Sequence, residues 1–218
     1  MSMSWTKAWS MTAVAIAAVL VMTAGSLGAQ VGPSLGVKDV NVASEQELVA
    51  MPGMSAAIAK GLIERRPFAS ITDLNAYLVS QGLTQEQAME FYRHATVHVN
   101  LNTGTREEIL LIPGAGTRMA REFDEYRPWR SWAQFDREIS KYVGQEATDR
   151  LKQYVFIPLN VNTASDQDLM TIPGLTAQTL ARIKQGRPYA SREQFEQRMT
   201  QGGDAKDAAR IAHFVVVP

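Results

Sequence analysis

A Pro-Gly turn occurs three times in this chain at an almost constant spacing, and this recurrence constrains the fold more than any other feature. The prolines of the three turns lie 61 and then 60 residues apart. The turns span 51–55 (Met-Pro-Gly-Met-Ser), 112–116 (Ile-Pro-Gly-Ala-Gly) and 172–176 (Ile-Pro-Gly-Leu-Thr). A unit of about sixty residues used three times predicts a repeat architecture, in which each unit packs mainly against its neighbours.

The same helix-start signal precedes each turn. A Ser or Thr is followed three residues later by a carboxylate, which is the pattern of a capping box. The three pairs are Ser44 with Glu47, Thr105 with Glu108, and Ser165 with Asp168. Because aspartate is shorter than glutamate, we expect the third pair to be the weakest. A short helix should run from each cap to the residue before the Pro-Gly pair, where proline disfavours the helical conformation.

A second helix should begin directly after each turn and end at a shared Arg-Pro-aromatic sequence. That sequence occurs at 66–68, 127–129 and 187–189. We expect its arginines to interact with the dipole at the helix C-terminus and its aromatic side chains to lie in the core, with Trp132 as the one indole that could be exposed. A third helix, a weaker hairpin near Gly82, Gly144 or Gly202-Gly203, a fourth helix and an apolar tail complete each unit.

The sequence therefore predicts an all-α chain of three tandem helix-hairpin-helix units. The expected boundaries are 1–29 for a signal peptide, 30–38 for a short flexible linker, and 39–98, 99–159 and 160–218 for the three units.

The first 29 residues have the pattern of a secretory signal peptide. Lys7 precedes an apolar run over 11–24, and small residues follow at 25–29, which favours cleavage after Gly28 or Ala29. The alternative is an uncleaved anchor over residues 11–27, which is near the lower limit for spanning a bilayer. Both interpretations place residues 30–218 outside the cytoplasm, in the periplasm or the extracellular space, and only the anchor would give the protein a membrane contact.

The composition excludes several classes of function. The chain has no cysteine, which rules out disulfides and thiolate chemistry. Its 22 basic and 22 acidic residues balance, so no overall positive field attracts a polyanion. The histidines at 94, 98 and 213 have no metal-site spacing. We therefore expect no enzyme activity, no catalytic residues, no metal and no cofactor.

The order of these motifs resembles the helix-hairpin-helix repeat of ComEA-like competence proteins. The shared pattern is Asn-x-[Ala/Gly]-[Ser/Thr]-x-x-[Glu/Asp]-[Leu/Ile], then Pro-Gly-x-[Gly/Ser/Thr], then Arg-Pro-aromatic-x-Ser, and it covers nearly all of residues 39–218. The resemblance implies an exported protein that binds double-stranded DNA and acts in DNA uptake, with envelope proteins of an uptake system as further partners.

Such a hairpin would contact DNA through backbone amides at the start of the second helix, where the helix dipole favours a phosphate. The second turn is the best candidate, because it keeps a second glycine and has Arg118 in the first exposed turn of the helix, with Arg121 one turn further on. In the other turns a hydroxyl replaces that glycine and nearby cations are sparser. The candidate DNA-binding residues are Gly114, Ala115, Gly116, Thr117, Arg118 and Arg121 in the second unit, Gly53, Met54, Ser55 and Lys60 in the first, and Gly174, Leu175, Thr176 and Arg182 in the third.

A second interpretation remains open. The hairpins could serve only to pack helices, in a non-catalytic structural or protein-interaction scaffold of the cell envelope. The balanced charge, the two missing glycines and the acidic first unit favour it, since residues 38–98 carry five basic and seven acidic side chains. Contact with DNA or with a stable protein partner would distinguish the two.

Overall fold

A computed structural model describes residues 30–217. Within this range the chain forms eleven helices and six short strands, and the expected all-α class is confirmed in its main feature. The predicted signal peptide lies outside the described residues. Of the helices between residues 30 and 217, none is long and apolar enough to cross a membrane.

Three successive segments each place helices between an opening and a closing strand. The first and third have four helices, and in the second a single longer helix stands where a third and a fourth were expected. The first segment contains β1 (Lys38–Asp39), α1 (Glu45–Val49), α2 (Ala56–Arg65), α3 (Ile71–Ser80), α4 (Gln85–Tyr92) and β2 (Ala95–Thr96). The second contains β3 (Val99–Asn100), α5 (Arg106–Leu110), α6 (Thr117–Glu125), α7 (Trp132–Lys152) and β4 (Val155–Phe156). The third contains β5 (Leu159–Asn160), α8 (Asp166–Leu169), α9 (Ala177–Gln185), α10 (Arg192–Gln201), α11 (Ala205–Phe214) and β6 (Val215–Val216).

The strands, which the sequence did not predict, connect the two ends of each segment. β1 pairs with β2, β3 with β4 and β5 with β6, each in parallel. A parallel pair needs a crossover between its strands, and here the helices of the segment provide it. The apolar tails expected at the ends of the second and third segments contribute their closing strands, whereas β2 lies just before the first expected tail. Val155, Phe156 and Val215 are buried, and Val216 is exposed.

The capping pattern predicted from the sequence is confirmed at the three short helices. Both halves of a capping box form in α1 and α5, where Glu47 and Glu108 reach back to the backbone of Ser44 and Thr105. In α8 the Ser165 hydroxyl caps the Asp168 amide and donates to the Asp168 carboxylate at 2.7 Å. The Ser44 hydroxyl donates to the Glu47 carboxylate in the same way, at 3.0 Å.

The apolar positions named from the helical spacing form the core. Leu74, Phe135 and Phe195, one from the third helix of each segment, are fully buried. The first two segments share one continuous cluster of buried side chains, and the third has its own cluster, to which Val31 and Phe156 also belong. The expected burial of Phe68, Trp129 and Tyr189 is confirmed, and Trp132 is buried as well.

In each segment, side-chain hydrogen bonds connect the loop after the opening strand to the Arg-Pro-aromatic sequence. Asn102 bonds the backbone of Trp129 through both its amide nitrogen and its amide oxygen, at 3.0 and 2.6 Å. Arg127 donates to the carbonyls of Leu101 and Gly104. Asn162 with Arg187 forms the equivalent bonds. Asn41 does so as well, but Arg66 donates only to the Ala43 carbonyl, and its Nε is buried without a partner in residues 30–217. The arginines therefore act mainly as donors to loop carbonyls, and the expected interaction with the helix dipole is not their main contact.

Residues 30–37 are built into the fold, and the expectation of a flexible linker is wrong for them. Val31 forms an antiparallel bridge with Phe156, and the Gly32 amide donates to the Val155 carbonyl at 3.2 Å. The Gln30 side chain donates to Asp168 at 2.7 Å. A Cβ at Gly32 would lie 1.7 Å from the Lys152 carbonyl oxygen, so glycine permits this close approach. We call residues 30–37 the N-terminal strap.

Candidate nucleic-acid interface

The second Pro-Gly turn presents the most open hairpin of the three. Gly114 has φ of 85°, a conformation that glycine adopts without strain. The Ala115 amide closes the turn by donating to the Ile112 carbonyl at 3.0 Å. A Cβ added at Gly114 or Gly116 would meet no atom within 4 Å. Open space therefore surrounds both glycines, while the Ala115 side chain points into the core.

Gly116 leaves the N-terminus of α6 without a side-chain cap. The first amides of any α-helix have no partner within the helix. At the corresponding positions, Ser55 accepts a hydrogen bond from the Ile58 amide and Thr176 accepts one from the Thr179 amide. The second hairpin thus has one more amide for an external acceptor than the other two. Thr117, the first residue of α6, is exposed beside it.

Arg118 is the cation best placed beside this helix terminus. Its guanidinium lies over the Tyr142 ring, 4.6 Å from the ring centroid. It is exposed and forms no ion pair with any carboxylate in residues 30–217. The Tyr142 hydroxyl is in turn held at 2.9 Å from the Tyr126 hydroxyl. Stacking on a fixed ring restrains the arginine, so less side-chain entropy is lost when it meets an anion.

Arg121 contributes less charge than its exposure suggests. It donates to the carboxylate of Glu122 at 2.8 Å, and that carboxylate is almost fully buried. The hydrogen bond from Arg121 lowers the pKa of Glu122, whose carboxyl is therefore ionised at neutral pH. The pair cancels most of the positive charge one turn beyond Arg118.

The first hairpin is exposed but weakly charged. Gly53 packs near the Leu83 side chain, 3.6 Å from an added Cβ, and Met54 is half-buried. Ser55 is exposed and occupied as a cap. Lys60 lies within 3.9 Å of the Glu64 carboxylate one turn along α2. This hairpin therefore offers fewer free amides and a partly neutralised cation.

The third hairpin packs against the first segment. A Cβ at Gly174 would lie 2.7 Å from the Val42 side chain. Arg210, which is buried, donates to the carbonyls of Pro173 and Gly174. Leu175 is buried and the Thr176 hydroxyl serves as a cap. This turn therefore contributes to packing between segments, which the sequence could not indicate because Val42 lies far away along the chain.

Arg182 points inward. Two of its guanidinium nitrogens, Nε and Nη1, are buried without a hydrogen-bond partner in residues 30–217. The side chain lies against the Gly202-Gly203 turn, where a Cβ at Gly203 would be 2.4 Å from Nη1. Arg182 is only partly exposed, so it offers less charge to DNA than its position in the sequence suggests.

Two arginines that sequence reasoning missed lie beside the second turn. Arg93 and Arg150 line a cleft of ≈ 500 Å³ together with Pro113 and Gly114. Each forms an exposed ion pair, with Glu90 at 3.1 Å and Glu146 at 2.6 Å, and such pairs are weak enough for a phosphate to compete. No local sequence signal could identify them, because they come from different segments.

No cluster of three potential metal ligands occurs within the described residues. No model of a protein family matches this chain. No curated protein and no solved structure is significantly similar to it either. Its function must therefore be argued from the geometry of the hairpins and from the motif resemblance.

Proposed function

We propose that this chain is a tandem array of three helix-hairpin-helix units that binds double-stranded DNA through its phosphates, without reading sequence. The second hairpin is the principal contact. The order of motifs, which resembles that of ComEA-like competence proteins, supports the repeat assignment, as does the similar order of elements in the three segments. Phosphate contacts fix a protein on a duplex but carry no sequence information.

One observation carries the proposal. The N-terminus of α6 is uncapped at Gly116, is surrounded by open space and lies beside the unpaired Arg118. A helix N-terminus with free amides and a partial positive charge favours a phosphate oxygen. A restrained arginine adjacent to it adds a full charge and several donors.

The contact should be weak and sensitive to salt. The hairpin amides and Arg118 together match about one or two phosphates, and Arg93 and Arg150 could add to them. Each neutralised phosphate contributes about 0.9 to the slope of log affinity against log salt concentration. With a net charge of zero, the chain gains nothing from long-range attraction.

We propose further that the protein is exported, through the signal peptide expected over 1–29, and acts without catalysis in DNA uptake. Export would place the hairpins where incoming DNA is met. Binding that ignores sequence suits DNA of arbitrary origin. Envelope proteins of an uptake system are the partners that such a role implies.

Fluorescence anisotropy of a labelled short duplex, titrated with the protein from low to physiological salt, tests the proposal. We expect affinity that falls with salt, and a several-fold weakening with Arg118→Glu. That variant should also reduce the salt slope by about one, since it removes one phosphate contact.

Arg192→Glu is the matched control. Arg192 is also exposed near the start of a helix, but it is paired with Glu196, and its replacement changes the net charge by the same amount. Unchanged binding in Arg118→Glu, or an equal loss in both variants, would show that the second hairpin is not the DNA surface.

The scaffold interpretation is the second candidate, and the third hairpin favours it. Val42 of the first segment packs on that turn, and Arg210 of α11 donates to its Pro173 carbonyl; both contacts support a packing role for this hairpin. A scaffold would retain no DNA even at the lowest salt, and would instead be recovered with a stable envelope protein at moderate salt. Anisotropy at low salt therefore separates the two functions directly.

A further inference from the structure

The cleft between the N-terminal strap and the second Pro-Gly turn has a cationic wall. Leu35–Gly36 of the strap and Pro113–Gly114 of the turn border it, and its volume is ≈ 500 Å³. Arg93, at the end of α4, and Arg150, on α7, also line it. Among the described residues that line the cleft, none is acidic. Although the chain has no net charge, an anion in this cleft would meet cations and no carboxylate in the wall.

The carboxylates that pair with the two arginines are not part of that wall. Glu90 lies 3.1 Å from Arg93 Nε, and Glu146 lies 2.6 Å from Arg150 Nη1. Their side chains are 52% and 90% exposed, so solvent weakens both pairs. A guanidinium has five N–H donors, and the other nitrogens of Arg93 and Arg150 have no partner in residues 30–217. Donors therefore remain for an anion.

Tyr154 supplies a further unused donor to the cleft, which it also lines. Its side chain is 5% exposed, and its hydroxyl has no hydrogen-bond partner in residues 30–217. Unlike Trp132 Nε1, this hydroxyl is not completely enclosed. Burial raises the pKa of Tyr154, and the nearby charge of Arg93 opposes that rise only in part. The hydroxyl is therefore protonated at neutral pH, and an almost buried O–H gains from an acceptor.

These groups suit a phosphate that carries two charges and three free oxygens, which is a phosphomonoester. Two arginines balance its charge, and the tyrosine hydroxyl adds a third donor. A phosphate within a DNA backbone carries one charge, and the sugars on both sides of it hinder its approach to an almost buried hydroxyl. A terminal phosphate has only one substituent, so its free oxygens can enter the cleft.

We propose that this cleft binds a phosphomonoester, whose oxygens accept from Arg93, Arg150 and the Tyr154 hydroxyl. A terminal phosphate of a DNA strand is one such group, and Gly114 in the wall would bring that DNA end beside the second hairpin. DNA as the source rests on the proposed function, whereas the chemistry of the cleft does not.

Methyl phosphate is the probe, and dimethyl phosphate, a diester, is the comparison. Calorimetry with the full chain at about pH 8, where the monoester is a dianion, should give methyl phosphate a Kd of about 1 mM or below. The diester should bind on the order of tenfold more weakly, because it has less charge and fewer free oxygens. Equal affinity for the two, or no binding of methyl phosphate, would overturn the proposal.

Tyr154→Phe keeps the buried ring and removes only the hydroxyl, and it should weaken methyl phosphate several-fold. Tyr77→Phe is its control, because Tyr77 also lies beside an arginine but outside the cleft. Arg150→Gln should weaken binding on the order of tenfold. Arg137→Gln removes a similarly exposed, paired arginine from the same helix and should leave affinity unchanged. Should Tyr154→Phe not fold, the two arginine variants decide, and an equal loss in both would contradict the proposal.

Anisotropy with two duplexes, one with 5′-phosphates and one with 5′-hydroxyls, identifies the source of the phosphate. If DNA ends occupy the cleft, the phosphorylated duplex binds several-fold more tightly. Tyr154→Phe should then remove the difference, whereas Arg118→Glu should weaken both duplexes. Equal binding of the two duplexes, with methyl phosphate still bound, would support the site and assign it to free phosphate esters. Binding of methyl phosphate without any binding of DNA would contradict the proposed function and leave this proposal standing.

Discussion

The second helix of each segment begins at an equivalent residue, and the three residues differ in how they cap the helix. Ser55 and Thr176 accept hydrogen bonds from amides of their own helices, at 3.3 and 3.1 Å. Gly116 has an ordinary extended φ of −80° and open space around it, so neither strain nor packing requires glycine there. Serine would fit and would cap the helix. Glycine leaves a free, accessible amide at this position, which the proposed phosphate contact would use.

Gly116→Ser should consequently separate stability from binding. A serine cap adds a few tenths of a kcal/mol to helix stability relative to glycine. Its hydroxyl would also accept from the Met119 amide and remove that donor from a phosphate. We expect an equal or slightly higher Tm and a several-fold weaker affinity for duplex DNA. Thermal unfolding and anisotropy measure the two effects.

Ser55→Gly is the reverse change in the first hairpin and should slightly lower the Tm. Tighter DNA binding by Gly116→Ser would show that the free amide is not used. A loss of more than about 1 kcal/mol of unfolding free energy in Gly116→Ser would show that the fold needs the glycine.

At the scale of elements, α7 shows how one residue divides a helix. The helix spans Trp132–Lys152, but Gly144 within it has φ of 77° and ψ of 165°. That region of backbone conformation is almost restricted to glycine. A Cβ at Gly144 would meet no atom within 4 Å. The conformation of the backbone, and not packing, therefore requires glycine at this position.

Gly144→Ala should cost about 1–3 kcal/mol of unfolding free energy, the usual cost of such a conformation for other residues. Urea denaturation measures it. Glu146→Ala, on the exposed face of the same helix, is the control, and its effect should stay within about 0.5 kcal/mol. An effect of Gly144→Ala as small as that of the control would show that the helix can run continuously through this point.

Local signals in the sequence predicted the helices well. Capping pairs such as Thr105 with Glu108, and turns such as Pro113-Gly114, act within a few residues, so their patterns are visible in the chain. The strands were missed because each has only two residues and pairs with a partner more than fifty positions away. The strap was missed because Gly32 and Ser34 are typical of loops, whereas the contacts with Val155 and Phe156 that hold it are distant in sequence.

In the candidate site, too, the sequence identified the local features and missed the contacts between distant residues. Gly116 and Arg118 could be identified because the turn motif marks them. The inward position of Arg182 and the packing of Val42 on Gly174 depend on how segments meet, which no spacing reveals. Arg93 and Arg150 converge on the second turn only in three dimensions. Periodic patterns thus identify the hairpins, and the assembly of the segments decides which hairpin remains open.

At the scale of the whole molecule, a half-buried histidine connects the last segment to the first. His213 on α11 donates from Nε2 to the His98 carbonyl, at 2.9 Å, and its ring packs on Phe156 with centroids 4.9 Å apart. Burial lowers the pKa of His213 below its ordinary value, and the bond to the His98 carbonyl opposes this only in part. Asp39, His98 and Glu108 are the titratable groups that influence it.

This lowered pKa makes the stability of the folded protein sensitive to acid. The unfolded chain takes up a proton on His213 near pH 6.5, whereas the folded protein resists it until a lower pH. The stabilisation is therefore complete above about pH 6.5 and is lost as the pH falls through the folded value. We expect the unfolding free energy of the wild type to decrease between about pH 7.5 and pH 5.5.

His213→Gln should flatten that decrease, because glutamine retains an N–H donor for the His98 carbonyl but does not titrate. Urea denaturation at the two pH values measures the slope. His94→Gln is the control, since His94 is half exposed and lies 3.8 Å from Glu90 at the surface, and its slope should match that of the wild type. If His213→Gln kept the full pH dependence, the acid sensitivity would have to arise elsewhere, and the contact between the third and first segments would not depend on the charge of this histidine.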